Sequence, residues 1–446
     1  MATTRSREDV HYFGAGPAPL PSVVLTEAAE ALVNYKGKGL GLAEISHRSG
    51  DANDVLRETK ENLTTLLNIP DNYEILFMQS GGTGEFSAVV QNLVSAWVEK
   101  RRKATDEQIR KEHPGLSDKE VESKVIASLK EQKEKELKLD YLVTGSWSLK
   151  ASQEAARLIG DKYVNVALDA RAHNDKKFGK IPAEDTWKLT PTGKGKPGPA
   201  FVYFCDNETV DGVEFPSFPK SLESQTGDEA DGPVVVADMS SNFLSRRVDV
   251  AKYGVIFAGA QKNVGVAGIT IAIVRKSLLA PAVASPPPHI LRELGLAPVP
   301  IVLDYSTAAK NNSLYNTLPI FNLWIAGRVM KKLVDDYKGK GLAGQEEISH
   351  RKAEAIYGAL DKYPNVYRVV PDKSVRSRMN ICFRVNGGDA EREKEFLAGA
   401  EARLLQGLKG HRSVGGMRAS SYNAVSEDAV HKLVAYLEHF AQAGQA

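Results

Sequence analysis

The chain has 446 residues, with Lys+Arg 58 against Asp+Glu 56 and a formal net charge of +2. Hydrophobic residues at 42 % and charged residues at 26 % are globular proportions, which exclude disordered, collagenous and coiled-coil chains. The near-neutral balance gives no electrostatic ground for recruitment to nucleic acid or to a membrane surface. Only Cys205 and Cys382 occur, far apart and without metal-site spacing, so a disulfide framework is excluded and no metal is expected. That usage points to a reducing compartment. No apolar run approaches the ~18 residues of a transmembrane helix. The start MATTRSREDV lacks the apolar core of a signal peptide, so the expected location is cytoplasmic. The length suits a large domain with a smaller companion.

In chain order, Tyr73–Met78 reads as a buried strand and Ser80-Gly81-Gly82-Thr83-Gly84 as the turn after it. From Glu85, Phe86, Val89, Val90, Leu93, Val94 and Trp97 keep a helical period. Between Glu99 and Lys138 charges of both signs dominate, and Ser117-Asp118-Lys119-Glu120 is a capping-box signal. Val121, Val125 and Leu129 then recur on one face, which predicts a surface helix of about five turns. A solvated insertion is the plainer reading, a partner-docking arm the other. Asp140–Thr144, Phe201–Cys205, Val234–Ala237, Val255–Ala258 and Ile269–Val274 are further strands. Their alternation with helices predicts an α/β fold on a mostly parallel sheet. Pro191–Pro199, Ser221–Gly232 and Ala284–Pro288 read as loops. Beyond Lys340, a helix (Glu346–Leu360), a strand (Met379–Val385) and two helices (Glu391–Gln406, Glu427–Gln442) predict a small α/β domain. We expect a large domain over 17–340 and a small one over 341–446 joined by 1–16.

Three features sketch a site. The strand–glycine turn–helix at 80–84 is an anion cradle by its helix N-terminus, although a plain tight turn reads as well. It is neither a Walker loop nor G-x-G-x-x-G. Asp238 follows one apolar strand and Lys262 the next, at the strand ends where open α/β sheets bind ligands. A partly desolvated lysine can condense with an aldehyde, and a carboxylate nearby can keep a pyridine nitrogen protonated. Taken singly, Lys262 is a surface lysine and Asp238 a cap; together with the turn they outline a pyridoxal phosphate site. Trp147, after another strand, could stack on a flat ring or pack in the core. Thr209 could donate to a ring oxygen or serve a turn. Basic pairs at His47-Arg48 and His411-Arg412, with Arg418, suit a substrate with two anionic ends, or form surface salt bridges.

These residues resemble the phosphoserine aminotransferase family, class V enzymes of pyridoxal-phosphate fold type I. The resemblance runs through Phe13–Ala18, Ile45–Arg48, Ser80–Gly84, Asn207–Gly212, Gly259–Asn263, Tyr315–Thr317 and Gly410–Ser420, spread over nearly the whole chain in the family's order. It implies a large seven-stranded, mostly parallel sheet domain with pyridoxal 5'-phosphate as cofactor. Lys262 would hold the cofactor covalently and then shuttle the substrate proton. Asp238 would pair with the ring nitrogen, Trp147 would stack on the ring and Thr209 would bond its hydroxyl. Gly82, Thr83 and Gln261 would hold the cofactor phosphate, with Asn316 and Thr317 from the other subunit of a homodimer. Arg418 would take the substrate α-carboxylate. His47 and Arg48 of the second subunit, with His411 and Arg412, would take the distal phosphate or carboxylate. The implied reaction passes the amino group of L-glutamate to 3-phosphohydroxypyruvate in L-serine biosynthesis, giving O-phospho-L-serine and 2-oxoglutarate by a ping-pong route.

Thr83 stands where bacterial members often carry Arg, Ala15 where many carry Ser, and 99–138 has no counterpart in the compact bacterial form. A serine–pyruvate or alanine–glyoxylate aminotransferase would use the same Lys and Asp without needing two basic pairs. A cysteine desulfurase needs a mobile, reactive Cys, and neither Cys205 nor Cys382 has an exposed setting. A non-catalytic phosphate-binding scaffold would leave Lys262 an ordinary lysine.

Overall fold

The computed structural model describes residues 5–193, 196–224 and 232–443. Its strands are β1 (His11–Tyr12), β2 (Tyr73–Met78), β3 (Leu139–Val143), β4 (Val164–Asp169), β5 (Phe201–Cys205), β6 (Asn207–Glu208), β7 (Val213–Glu214), β8 (Val235–Asp238), β9 (Val255–Gly259), β10 (Thr270–Arg275), β11 (Tyr367–Val369), β12 (Asn380–Val385), β13 (Leu405–Gln406) and β14 (Met417–Ser420). Seven of them form the main sheet in the order β2-β10-β9-β8-β5-β3-β4. All run the same way except β10, which is antiparallel to both neighbours.

Both faces of this sheet are covered. Along β2, Ile75 and Phe77 join one apolar cluster and Leu76 and Met78 the other, as the two-residue period of a strand requires. The first cluster packs under helices Gly50–Leu67 and Ile320–Asp336, the second under helices Gly81–Glu112 and Ser146–Ile159. A smaller three-stranded sheet, β11-β12-β14, packs with helices Leu342–Lys362, Ala390–Glu401 and Glu427–Ala443 around its own core.

The predicted elements shift at a few places. The helix expected over Glu391–Gln406 stops at Glu401. Leu404 turns to a positive φ of 62°, and β13 then pairs in parallel with β1 near the N-terminus. The helix expected from Glu85 begins at Gly81 and runs to Glu112, so the first part of the charged stretch, Glu99 to Glu112, extends a core helix. The rest is helix Asp118–Glu136, capped by Ser117 and Glu120, with Val121, Val125 and Leu129 buried against that core helix. The same helix meets the segment 288–294 through His289–Glu122 at 2.6 Å, Lys130–Glu293 at 2.8 Å and Lys133 Nζ on the Leu294 carbonyl at 2.5 Å. The loops expected at 191–199 and 221–232 carry no strand or α-helix where described; residues 194–195 and 225–231 lie outside the described residues.

Candidate active site

The carboxyl ends of β2, β3, β5, β8 and β9 lead to the glycine turn, Trp147, the β6–β7 hairpin with Thr209, Asp238 and Lys262. All of these line one cavity of about 530 Å³. Parallel strands with buried sides leave side chains free mainly at such ends, so the topology itself gathers the set.

Lys262 Nζ donates to Thr209 Oγ1 at 2.8 Å. Burial lowers its pKa, with Asp238 opposing and Arg418 adding to the shift. Asp238 accepts from the Ser240 N–H at 2.8 Å, and burial raises its pKa despite Lys262. A buried carboxylate raised in this way calls for a cationic N–H facing it. The backbone at Gly16 takes a φ of +133°, and a Cβ there would lie 3.5 Å from the Lys262 side chain, so Ala15-Gly16-Pro17 closes the cavity over the lysine. That segment is tied to the small sheet through Tyr422, whose hydroxyl donates to the Ala15 carbonyl at 2.7 Å.

The glycine turn is the first turn of helix Gly81–Glu112, and Gly81 has a left-handed φ of +62° that suits glycine. The Gly81 N–H bonds Thr270 Oγ1 at 2.8 Å, while Gly82 and Thr83 belong to the first turn, whose donors a helix cannot pair internally. A Cβ at Gly82 would meet only Ser240 Oγ, at 3.8 Å, so an anion has room there. Behind the turn, buried Glu85 accepts from Ser80 Oγ at 2.5 Å and the Tyr305 hydroxyl at 2.6 Å. Burial pushes its pKa up to about 6.

Trp147 opens helix Ser146–Ile159 and its N–H donates to Glu208 at 2.8 Å. Its ring lies 4.5 Å from Lys150 Nζ and 6.5 Å from the Phe86 ring, and its indole N–H is buried without a partner. Arg418 donates to the Thr209 carbonyl at 3.1 Å, while its Nε is buried and unpartnered. His411 lines the same cavity, its pKa lowered by burial and then by Arg418, Lys150 and Arg412.

Thus Gly82, Thr83, Trp147, Thr209, Asp238, Gln261, Lys262, His411 and Arg418 come together around one space. His47, Arg48, Arg412, Asn316 and Thr317 do not line it. Asn316 instead donates to Gln79 Oε1 at 2.5 Å, Gln79 donates to the Thr317 carbonyl at 2.9 Å, and Asn316 lines a separate cavity of about 190 Å³.

The class-V aminotransferase family model matches residues 10–170 and 120–433. The chain is 42 % identical over 436 residues to phosphoserine aminotransferase of Saccharomyces cerevisiae, covering 98 % of each chain. It is 40 % identical over 416 residues to phosphoserine aminotransferase of Drosophila melanogaster, covering 93 % of each. The chain belongs to the class-V aminotransferases. Among solved structures it superposes with a TM-score of 0.76 on phosphoserine aminotransferase from Bacillus circulans subsp. alkalophilus, at 34 % identity and covering 97 % of this chain and 98 % of that one. The PLP-bound phosphoserine aminotransferase from Trichomonas vaginalis gives a TM-score of 0.75 at 32 % identity, covering 96 % and 99 %.

As a class-V aminotransferase, the protein uses pyridoxal 5'-phosphate. The cavity fits it on its own chemistry: a buried amine with a depressed pKa, a buried carboxylate, the N-terminal turn of a helix with room for an anion at Gly82, and an indole ring on the wall. Sequence reasoning missed Ser240, which bonds both Asp238 and the Gly259 N–H (3.1 Å) and borders Gly82. It also missed Glu208 and Asp211, which accept the first N–H groups of the Trp147 helix, Asp211 from Ser146 at 2.7 Å. The signal for these two lay in Asn207–Gly212, a run whose value was read only at Thr209.

Proposed function

We propose that this protein is a phosphoserine aminotransferase, passing the amino group of L-glutamate to 3-phosphohydroxypyruvate. The observation that carries the reading is Lys262 and Asp238 at the ends of adjacent parallel strands, in one cavity with Arg418 and His411. When bound there, pyridoxal phosphate supplies an electron sink for a substrate carbanion. Gly82, Thr83 and Gln261, with Ser240 beside them, would hold its phosphate; Asp238 would face its ring nitrogen, Thr209 its hydroxyl and Trp147 its ring. Lys262 would hold the cofactor and, as a free amine, would take the proton from the substrate Cα and return it in the opposite half-reaction. Arg418 orients that carbon by gripping the α-carboxylate, and its buried, unpaired Nε leaves a donor for the purpose. His411 lines the cavity beside it and, with Arg412 next in the chain, would take the distal anion.

A homodimer completes this reading. Asn316 shares its small cavity with Ile301, Val302 and Tyr315, apolar side chains 52 %, 58 % and 49 % exposed. An apolar surface there supports a second subunit that brings its own Asn316 and Thr317, and its His47 and Arg48, to the neighbouring site. The division into 17–340 and 341–446 with 1–16 would place the cavity between two units, with β1–β13 pairing holding the N-terminal segment to the smaller one. Two unpaired, buried cysteines support a reducing cytoplasmic setting. Among the described residues no helix is long and apolar enough to cross a membrane.

The test is a coupled assay of the cofactor-loaded protein with phosphoserine and 2-oxoglutarate against alanine and glyoxylate. Preference for the first pair by at least about tenfold in kcat/KM supports the reading; preference for the second makes the protein an alanine–glyoxylate type enzyme.

A further inference from the structure

A second cavity, about 560 Å³, adjoins the catalytic one and shares Val210, His411 and Arg418 with it. Its other walls are the turn after β4, strands β11 and β12, and the glycine-rich run before β14. Six cationic side chains line it, Arg171, Lys176, Lys177, Arg368, Arg384 and Arg418, against the single carboxylate Asp211.

The pairing of these charges shows which are available. Arg171 is held by Asp169 at 2.7 Å, and Arg384 by Glu393 at 3.0 Å and the Val414 carbonyl at 2.8 Å. Asp211 is engaged by the Ser146 N–H at 2.7 Å. Among the described residues the side chains of Lys176, Lys177 and Arg368 have no hydrogen-bond or ion-pair partner. Arg418, only 9 % exposed, stands between the two cavities with an unpartnered Nε.

The lysines do not sit on a loose tail. Asp175 and Lys176 both take left-handed backbone, φ 47° and 61°, which costs non-glycine residues energy that the surroundings must repay. Asn174 donates to the Lys177 carbonyl at 3.2 Å, and the Asp372 N–H bonds the Gly179 carbonyl at 2.9 Å, fastening the turn to the strand β11 side. A strained, fastened turn that sets Lys176 and Lys177, both unpaired among the described residues, on the wall of a cavity is a built arrangement.

We propose that this chamber captures small phosphomonoester dianions and delivers the phosphorylated substrate to Arg418, an inference that rests on the function proposed above. Phosphoserine carries more negative charge than glutamate, and 3-phosphohydroxypyruvate more than 2-oxoglutarate, because a phosphomonoester is close to a dianion where a carboxylate is a monoanion. A cluster of unpaired cations therefore favours the phosphorylated member of each pair in encounter. Walls of low dielectric focus that field. Lys176, Lys177 and Arg368 are then specificity residues for one half-reaction.

The test compares the holoenzyme with Lys176→Ala/Lys177→Ala/Arg368→Ala and with Lys176→Arg/Lys177→Arg, following each half-reaction at low and high salt. The triple variant should lose at least about tenfold in kcat/KM for phosphoserine at low salt, with a clearly smaller loss for glutamate. High salt should narrow the gap as the Debye length shrinks, and the arginine variant should restore the phosphoserine rate. Inorganic phosphate should inhibit the native enzyme more strongly than the triple variant. Equal losses in both half-reactions, a salt-independent loss, or no loss for phosphoserine overturns the proposal. If the native enzyme ignores phosphoserine while reacting with glutamate, the proposed substrate fails instead. Calorimetric binding of inorganic phosphate then decides the chamber: retained by the native protein and lost in the triple variant, or absent from both.

Discussion

Glu208 and Glu214 occupy the two strands of one short hairpin, both fully buried, and their carboxyl groups are pushed in opposite directions. Glu214 receives Arg378 through two side-chain bonds (2.8 and 3.2 Å) and has Arg246 at 3.6 Å, and these cations hold its pKa below the usual value against the cost of burial. Glu208 meets backbone N–H groups and Ser148, with Asp211 as its charged neighbour, so burial and like charge raise its pKa. Burial is the same; the counter-charge differs. One face of the hairpin is a matched ionic lock, completed by Arg246 on Asp206 at 2.6 Å. The other face, which positions Trp147 and Thr209, gives Glu208 no ion pair; its nearest cations, Lys262 and Arg418, bond Thr209 instead and face the cavity.

Disabling only the working face should have the largest effect. Lys262→Ala should lower turnover by about 10⁴-fold, the upper range for a proton-transfer group, while urea unfolding stays near native. Disabling only the lock should do the reverse. Arg246→Met leaves the buried Asp206 without its cation and Glu214 with Arg378 alone, and should cost about 3–5 kcal/mol by urea denaturation. Loss of activity without loss of stability in that variant would contradict the division. Glu208→Gln replaces one of the two accepting oxygens by an NH2 that must face the N–H of either Trp147 or Ser148; about 1–3 kcal/mol is expected, with altered Trp147 fluorescence.

The pH dependence sharpens the contrast. Glu85, raised from 4.5 to about 6, favours the folded state when protonated. Its contribution is complete below pH 4.5 and disappears as pH rises through about 6, a loss of about 2 kcal/mol that Glu85→Gln should abolish. Glu214 has the opposite sign: its lowered pKa contributes above the unfolded value and is lost as pH falls through the folded one. The smallest effect lies outside both faces. Ser117→Ala removes the cap of helix Asp118–Glu136 and should cost about 1 kcal/mol by thermal melting, with turnover retained.

Much of this was legible in the sequence because the central strands are continuous apolar runs. Tyr73–Met78 and Phe201–Cys205 were read to the residue, and Asp238 and Lys262 stood out because each breaks such a run. β4 was not seen: at the sheet edge, its Val164, Asn165 and Val166 stay partly exposed and carry no apolar run. The early start of helix Gly81–Glu112 was hidden by its glycines, which read as a turn. Glu208 carries no signal of its own because its role depends on a helix start 61 positions away in sequence. Likewise the unpaired lysines at 176 and 177 were two charges among many until the fold set Arg368 and Arg418 across from them.

The most direct test is the visible spectrum of the purified protein with pyridoxal phosphate, titrated with O-phospho-L-serine beside Lys262→Ala. The native protein should show the bound cofactor's band and lose it on adding phosphoserine, with the band returning on 2-oxoglutarate or 3-phosphohydroxypyruvate. Lys262→Ala should fail to complete that cycle. A native band that answers glutamate and ignores phosphoserine would contradict the proposed substrate, and a cycle completed by Lys262→Ala would contradict the role of the lysine itself.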